Sequence, residues 1–306
     1  MSNALRLLIA VLLVGVLAAP AAAAPKKNPK SPQQTAAYWT AERMKNAKPR
    51  ERARPGGGGG GGSTSAWSRY AVPLSNGAYT GENRKNGKAF FTLDGSNYVC
   101  SGTAVDASAG VNLVWTAGHC VTDGPGHEAT NFMFVPGYYK GQEPNGRWAY
   151  TVLDSTPSWE GQGSNRFRGD VGAARVVNAA STSATFAGTI GTRPISFAQD
   201  PTGKRLTAYG YPAAGKFNGS QQYACASPFR RWDDVALLDP MQISCDMTGG
   251  SSGGGWFLDA NANSVGDPGE PLVSVNSYGY SFEKTTMYGP YMASGGEAQT
   301  LYNSLR

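Results

Sequence analysis

The chain carries two histidines, and one of them, His119, stands in Thr116-Ala117-Gly118-His119-Cys120, far upstream of the turn Gly249-Gly250-Ser251-Ser252-Gly253-Gly254-Gly255. A serine hydroxyl attacks a carbonyl usefully only where an imidazole takes its proton. The imidazole in turn needs a carboxylate to fix its tautomer and stabilise the cation that forms. A candidate carboxylate, Asp170, lies between the two in Arg168-Gly169-Asp170-Val171-Gly172-Ala173-Ala174. Three side chains so far apart in sequence meet only if folded elements bring them together. Other residues compete for these roles: Ser251 beside Ser252, and His127 in the loop-like Gly124-Pro125-Gly126-His127-Glu128. Arg168-Gly169-Asp170 also reads as an adhesion tripeptide, a frequent chance occurrence. The apolar run from Val171 to Val177 better suits a carboxylate carried by a strand.

These three contexts, in the order His119, Asp170, Ser252, resemble the chymotrypsin-like (trypsin-fold) serine proteases, especially the secreted bacterial branch. The resemblance spans roughly residues 67 to 306, about the length of one two-barrel enzyme. It implies that Ser252 is the nucleophile, followed by Gly253-Gly254 and with Gly250 two residues before it. His119 would then be the base, Asp170 its orienting group, and the N–H groups of Gly250 and Ser252 the oxyanion hole. Asp246, six residues before Ser252, takes the position at the base of the primary pocket and implies a preference for Lys or Arg. Small or broad preference is the alternative. Ser277-Tyr278-Gly279 resembles the strand that pairs with substrate backbone, and Gly289-Pro290-Tyr291 the opposite pocket wall. A glutamate pocket in this fold usually uses a histidine of the second barrel, and no histidine follows His127. Ser251 stands where the animal branch has the aspartate that binds a new amino terminus, so activation by that ion pair is not expected. Gly255 replaces the proline that often follows the Ser-Gly-Gly.

Four cysteines in an exported chain are most simply two disulfides, with three possible connectivities. The resemblance favours Cys100 with Cys120, closing the loop that presents His119, and leaves Cys225 with Cys245. Metal ligation is the weaker reading, because no close C-x-x-C pair is present and histidines are few.

Export is expected from the start of the chain. Leu5 to Ala19 is apolar, Arg6 lies near its beginning, and Ala21 to Ala24 offers small residues for cleavage. The run is shorter than the ~20 residues of a membrane-spanning helix. The net charge of +6 is concentrated in one stretch: Lys26 to Arg54 holds nine Lys/Arg against Glu42 and Glu51, whereas Gly56 onward holds 17 against 19 Asp/Glu. The basic stretch reads as a pro-segment or solvated arm rather than a nucleic-acid site, with only Tyr38 and Trp39 as aromatics. Pro55, the seven glycines Gly56 to Gly62 and Ser63-Thr64-Ser65 make a flexible connector. Arg50, Arg52 and Arg54 beside it are expected to be accessible to a processing protease.

After the connector, short runs rich in Val, Thr, Tyr and Phe alternate with Gly, Asn, Asp and Pro clusters, as in Ala89 to Val99. Many short strands between turns predict an all-β fold; with the resemblance this becomes two Greek-key β-barrels and a C-terminal helix. Helical spacing of Ala298, Leu301, Tyr302 and Leu305 places that helix over 296–305. The expected organisation is a signal peptide at 1–24, basic segment and linker at 25–66, a first barrel with His119 and Asp170 at 67–190, and a second barrel with Ser252 at 191–306. Asp259, Asn261, Asn263, Asp267 and Glu270 approximate a calcium loop, but Ser264 replaces the glycine such a loop needs, so a polar hairpin loop is expected.

The sequence therefore predicts a secreted, monomeric serine endopeptidase acting on proteins or peptides. It predicts no cofactor or metal, no need for nucleic acid and no stable membrane insertion after leader cleavage. The alternative is a catalytically silent homologue serving as a binding or adhesion module, attached to an anionic surface by its basic arm. An esterase of another fold is disfavoured, because its usual chain order puts the serine first.

Overall fold

The computed structural model describes residues 24–51, 53–54, 66–161, 164–233, 240–259, 267, 269–281 and 283–306. The expected leader, the glycine run, Arg52 and most of the 259–270 loop lie outside the described residues. No helix among the described residues is long and apolar enough to cross a membrane.

The basic segment folds into β1 (Lys26–Lys27), α1 (Pro32–Tyr38), α2 (Ala41–Asn46), β2 (Lys48–Pro49) and β3 (Ala53–Arg54). Its helices start where local chemistry dictates. Ser31 and Gln34 form a capping box with Pro32 in the first turn, and the Thr40 hydroxyl accepts from Arg43 N–H. The segment is docked rather than solvated: Thr35, Trp39 and Met44 are buried.

β4 (Ser68–Ala71) lies in the segment expected to open the first barrel, but it pairs antiparallel with residues 223–226 of the second. The first barrel is built from β5 (Asn86–Leu93), β6 (Ser96–Val105), β7 (Leu113–Thr116), β8 (Thr130–Pro136), β9 (Trp148–Ser155) and β10 (Gly172–Asn178). These strands run in the order β9-β10-β7-β6-β5-β8, and β8 pairs with β9 to close the ring. The β5–β6 hairpin turns on Asp94-Gly95, both at positive φ (47° and 76°), the twist a two-residue hairpin loop requires. Along β5, Ala89, Phe91 and Leu93 point into the barrel core, and Phe90 points outward beneath Trp39 of the basic segment. All eight β5 residues are therefore buried.

Two single-turn helices, α3 (Pro157–Glu160) and α4 (Phe186–Thr189), decorate this barrel. Phe186 and Ile190 still pack in its core. The second barrel comprises β11 (Arg205–Gly210), β12 (Tyr223–Trp232), β13 (Met241–Ser244), β14 (Gly255–Asp259), β15 (Leu272–Val275), β16 (Gly279–Tyr280) and β17 (Thr286–Gly289). Its strand order is β15-β14-β11-β12-β13-β17. Among the described residues no ladder joins β15 to β17. Their seam is held by backbone bonds from Ser277 and Tyr278 to Tyr288, leaving a half-open barrel.

The expected C-terminal helix is α5 (Glu297–Leu305). It buries Ala298, Leu301 and Leu305 against the first barrel, where Arg175 Nε donates to the Leu305 carbonyl at 2.6 Å. Cys100–Cys120 and Cys225–Cys245 are the two disulfides.

Candidate active site

His119 sits in a 3-10 turn, Gly118–Cys120, directly after β7. Gly118 is required there, because a Cβ would lie 2.5 Å from Cγ of Trp159. The Trp159 indole, fixed by a 2.8 Å bond from Nε1 to the Thr122 carbonyl, packs against the imidazole with ring centroids 5.8 Å apart. The Cys100–Cys120 disulfide ties this turn to β6.

Asp170 lies two residues before β10. Its Oδ1 accepts the His119 backbone N–H at 2.9 Å, and its Oδ2 lies 2.7 Å from His119 Nδ1. The Ser277 hydroxyl donates to the same Oδ2. Both triad-type side chains are fully buried. Burial alone would push the Asp170 carboxyl up, but the His119 charge and the bonds from His119 and Ser277 outweigh it and hold the group below the ordinary carboxylate value. A carboxylate at Nδ1 fixes that nitrogen as the protonated one and leaves Nε2 as the basic atom.

The Ser252 turn is set by close backbone approach. Gly250 and Gly253 have φ of 94° and 81°, and a Cβ on Gly253 would fall 2.0 Å from Thr116 Oγ1. Ser251 builds the turn, its hydroxyl donating to the Thr248 carbonyl at 2.7 Å. Ser101 on β6 braces it across the barrels. Its N–H donates to the Ser252 carbonyl at 2.7 Å and its hydroxyl to the Gly250 carbonyl at 2.9 Å. Sequence reasoning missed Ser101; its only signal was its place beside Cys100.

The cleft is occupied by the basic segment. The Arg50 carbonyl oxygen accepts from Gly250 N–H at 3.0 Å and from the Ser252 hydroxyl at 3.2 Å. Arg50 N–H donates to the Val99 carbonyl at 3.0 Å. The Arg50 guanidinium pairs with Asp123 and lies over the Tyr98 ring, 5.0 Å from its centroid. Its side chain is 14% exposed, which corrects the expectation that Arg50 is accessible for processing.

Beside Ser252 opens a cavity of about 330 Å³, lined by Asp246 to Gly249, Ser277, Gly279, Thr286, Met287 and Glu51. Asp246, Ser277 and Gly279, the residues expected at the primary pocket, thus share one cavity with Ser252. Gly289 does not line this cavity: a Cβ there would meet Ser274 Oγ and the Val275 carbonyl at 2.5 Å, and the wall is made by Thr286 and Met287. Asp246 is also less free than expected, because its Oδ2 receives both Arg69 and Lys216.

His127 is remote from this chemistry, 60% exposed and 3.0 Å from Asp94. The one cluster with metal-ligand spacing among the described residues is Cys100, His119 and Cys120. Both sulfurs are committed to their disulfide, so neither offers a thiolate.

No protein-family model matches the sequence, and no curated protein does. Solved structures do. The protease Anisep from Arthrobacter nicotinovorans is 37% identical over 74% of this chain and 97% of its own, with a TM-score of 0.64. The thermostable serine protease AL20, from an extremophilic microorganism, is 38% identical over 72% of this chain and 96% of its own, with a TM-score of 0.63. A Glu endopeptidase shares the fold at 20% identity and a TM-score of 0.57, covering 77% of this chain and 95% of that one. Paired barrels, a C-terminal helix and two proteases matched at this identity over nearly all of their solved chains agree, and the chain belongs to the chymotrypsin-like serine proteases.

Proposed function

We propose that the protein is a secreted serine endopeptidase made as a zymogen, with its barrels dividing near residue 190. Ser252 attacks the peptide carbonyl, and His119 takes the hydroxyl proton and returns it to the leaving amine. Asp170 holds the imidazole, and the N–H groups of Gly250 and Ser252 stabilise the oxyanion. Water then deacylates Ser252. The observation that carries the reading is a peptide carbonyl held between Ser252 Oγ and Gly250 N–H, beside a buried His119–Asp170 pair. The Gly250 N–H bond supports it, because one donor of an oxyanion hole would hold a peptide carbonyl in that way. Two disulfides support an oxidising, extracellular setting.

For the primary pocket, charge argues against a basic preference. A Lys or Arg side chain would meet a carboxylate already shared by Arg69 and Lys216, so we favour small or uncharged residues before the cut. The test is a fluorophosphonate probe applied to the protein freed of its basic segment, with the labelled residue located by mass spectrometry. Label on Ser252 that is lost in His119→Ala is the expected result. An unlabelled, correctly folded protein would overturn the reading in favour of a silent homologue.

A further inference from the structure

The basic segment crosses the cleft in a direction that opposes its own cleavage. β2 pairs parallel with β6 (Lys48 opposite Tyr98), and β3 pairs parallel with β16 (Gly279 opposite Ala53). The chain therefore runs from the first barrel to the second over Ser252. For acyl transfer at Arg50, the Glu51 nitrogen would have to receive its proton from His119, which the first barrel carries. Glu51 instead leads into the cavity between Asp246 and Thr286 on the second barrel. The carbonyl is held at Gly250 N–H, with the chain before it on the first barrel and the chain after it on the second, the reverse of what protonation of the leaving nitrogen by His119 calls for.

The rest of the segment is an anchor. Trp39 is fully buried against Phe90, Met133 and Tyr138, and its Nε1 donates to the Asn131 carbonyl at 2.7 Å. Arg147 donates to the Ala36 and Trp39 carbonyls at 2.9 and 2.8 Å, and Asn28 Nδ2 to the Tyr150 carbonyl at 2.8 Å. β1 adds a strand edge on β9. Phe90, Val99, Met133 and Val135 face outward from the first barrel and are covered by this segment, so its departure would expose a contiguous apolar patch.

We infer that residues 24–54 are a non-substrate inhibitor of their own enzyme domain, held by Trp39 and plugging the oxyanion site with the Arg50 carbonyl. Cutting the connector after Arg54 leaves them bound and the enzyme off. Activity appears when the segment dissociates or is destroyed. This rests on the peptidase reading above.

The experiment uses the full chain with a recognition sequence for an unrelated site-specific protease placed within residues 56–62. After cutting, co-elution of the two fragments reports binding, and hydrolysis of a peptide substrate together with probe labelling of Ser252 reports activity. The expected result is co-elution, an intact Arg50–Glu51 bond, and specific activity that is low when concentrated and rises on dilution. Added synthetic peptide 24–54 should suppress it again. Trp39→Ala in that peptide should weaken suppression about tenfold or more, the usual cost of truncating a buried aromatic anchor. Full activity while the fragments co-elute, or cleavage at Arg50–Glu51, would overturn the inference and leave the peptidase reading intact. A dissociated enzyme domain that neither cleaves peptides nor takes the probe would overturn both.

Discussion

Asp170 shows how much of this site depends on single hydrogen bonds. A buried carboxylate is costly unless its acceptor sites are filled, and His119 and Ser277 fill them. Its lowered value in the fold means that it stabilises the native state at neutral pH. That contribution starts to fall as pH drops into the ordinary carboxylate range, where the unfolded group protonates, and it is gone once pH passes below the folded value. Ser277→Ala removes one donor, raises the Asp170 value and moves this loss to higher pH. Urea unfolding between pH 3 and 7 should show a difference from wild type of about 1–2 kcal/mol at neutral pH that shrinks toward the acid end. A pH-independent difference would show that Ser277 acts only through packing. Sequence reading placed Ser277 as a substrate-pairing residue, and the structure gives it this second contact. His119, Asp170 and Ser252 could be picked out as candidates because the proposed chemistry demands particular neighbours, and the structure brings the first two into contact. Ser101 was not, because a serine bonded to backbone groups of a distant turn leaves no local pattern.

At the scale of elements, the hairpins and terminal helix could be read from turn residues and periodicity, whereas α1 and α2 were missed. Both are short, and their stability comes from Trp39 and Met44 lying on the first barrel rather than from any repeated apolar spacing. The overlooked signal was in the barrel itself: Ala89-Phe90-Phe91 and Phe132-Met133-Phe134-Val135 are apolar on both faces, the mark of strands covered on both sides. That Thr286 and Met287 rather than Gly289 line the cavity beside Ser252 was not legible for a related reason, since the register of β17 against β13 is set by pairing that no local motif records. The disulfides are elements of this kind too. Cys225–Cys245 joins β12 to the chain just before Asp246, closing a separation of 20 residues, for which loop entropy suggests about 3 kcal/mol. Replacing both with alanine should lower stability by that order in urea unfolding while the His119–Asp170 pair persists. Equal loss of stability and of Ser252 labelling in conditions where the variant is folded would show that this bridge also shapes the Ser252 turn.

Across the whole molecule, the two barrels meet through buried polar groups as well as apolar ones. Arg193 pairs with Glu82 at 2.7 Å and lies 3.8 Å over the Phe257 ring. Lys88, inside β5, sends its ammonium to the Gly219 carbonyl at 2.8 Å, between the rings of Phe90 and Tyr138. Burial lowers the Lys88 value to about 8 from the ordinary 10.5. Between those two values the unfolded chain keeps the proton that the folded one has lost, so native stability contributed by this group rises with pH across that window. Below about pH 8 both states are protonated and the cost of burying the charge is complete, on the order of 3 kcal/mol from the size of the shift. Buried tyrosines such as Tyr79, raised to about 12, act in the opposite sense above pH 10 and mask the effect in the wild type alone. Lys88→Met removes the charge and keeps the stem that packs on Phe90. Its stability difference from wild type, measured by denaturant unfolding at steps from pH 7 to 10.5, should be largest at neutral pH and shrink toward the alkaline end. A difference that stays constant with pH would mean that Lys88 is held charged by its carbonyl and ring contacts, and that the junction between the barrels tolerates a buried cation.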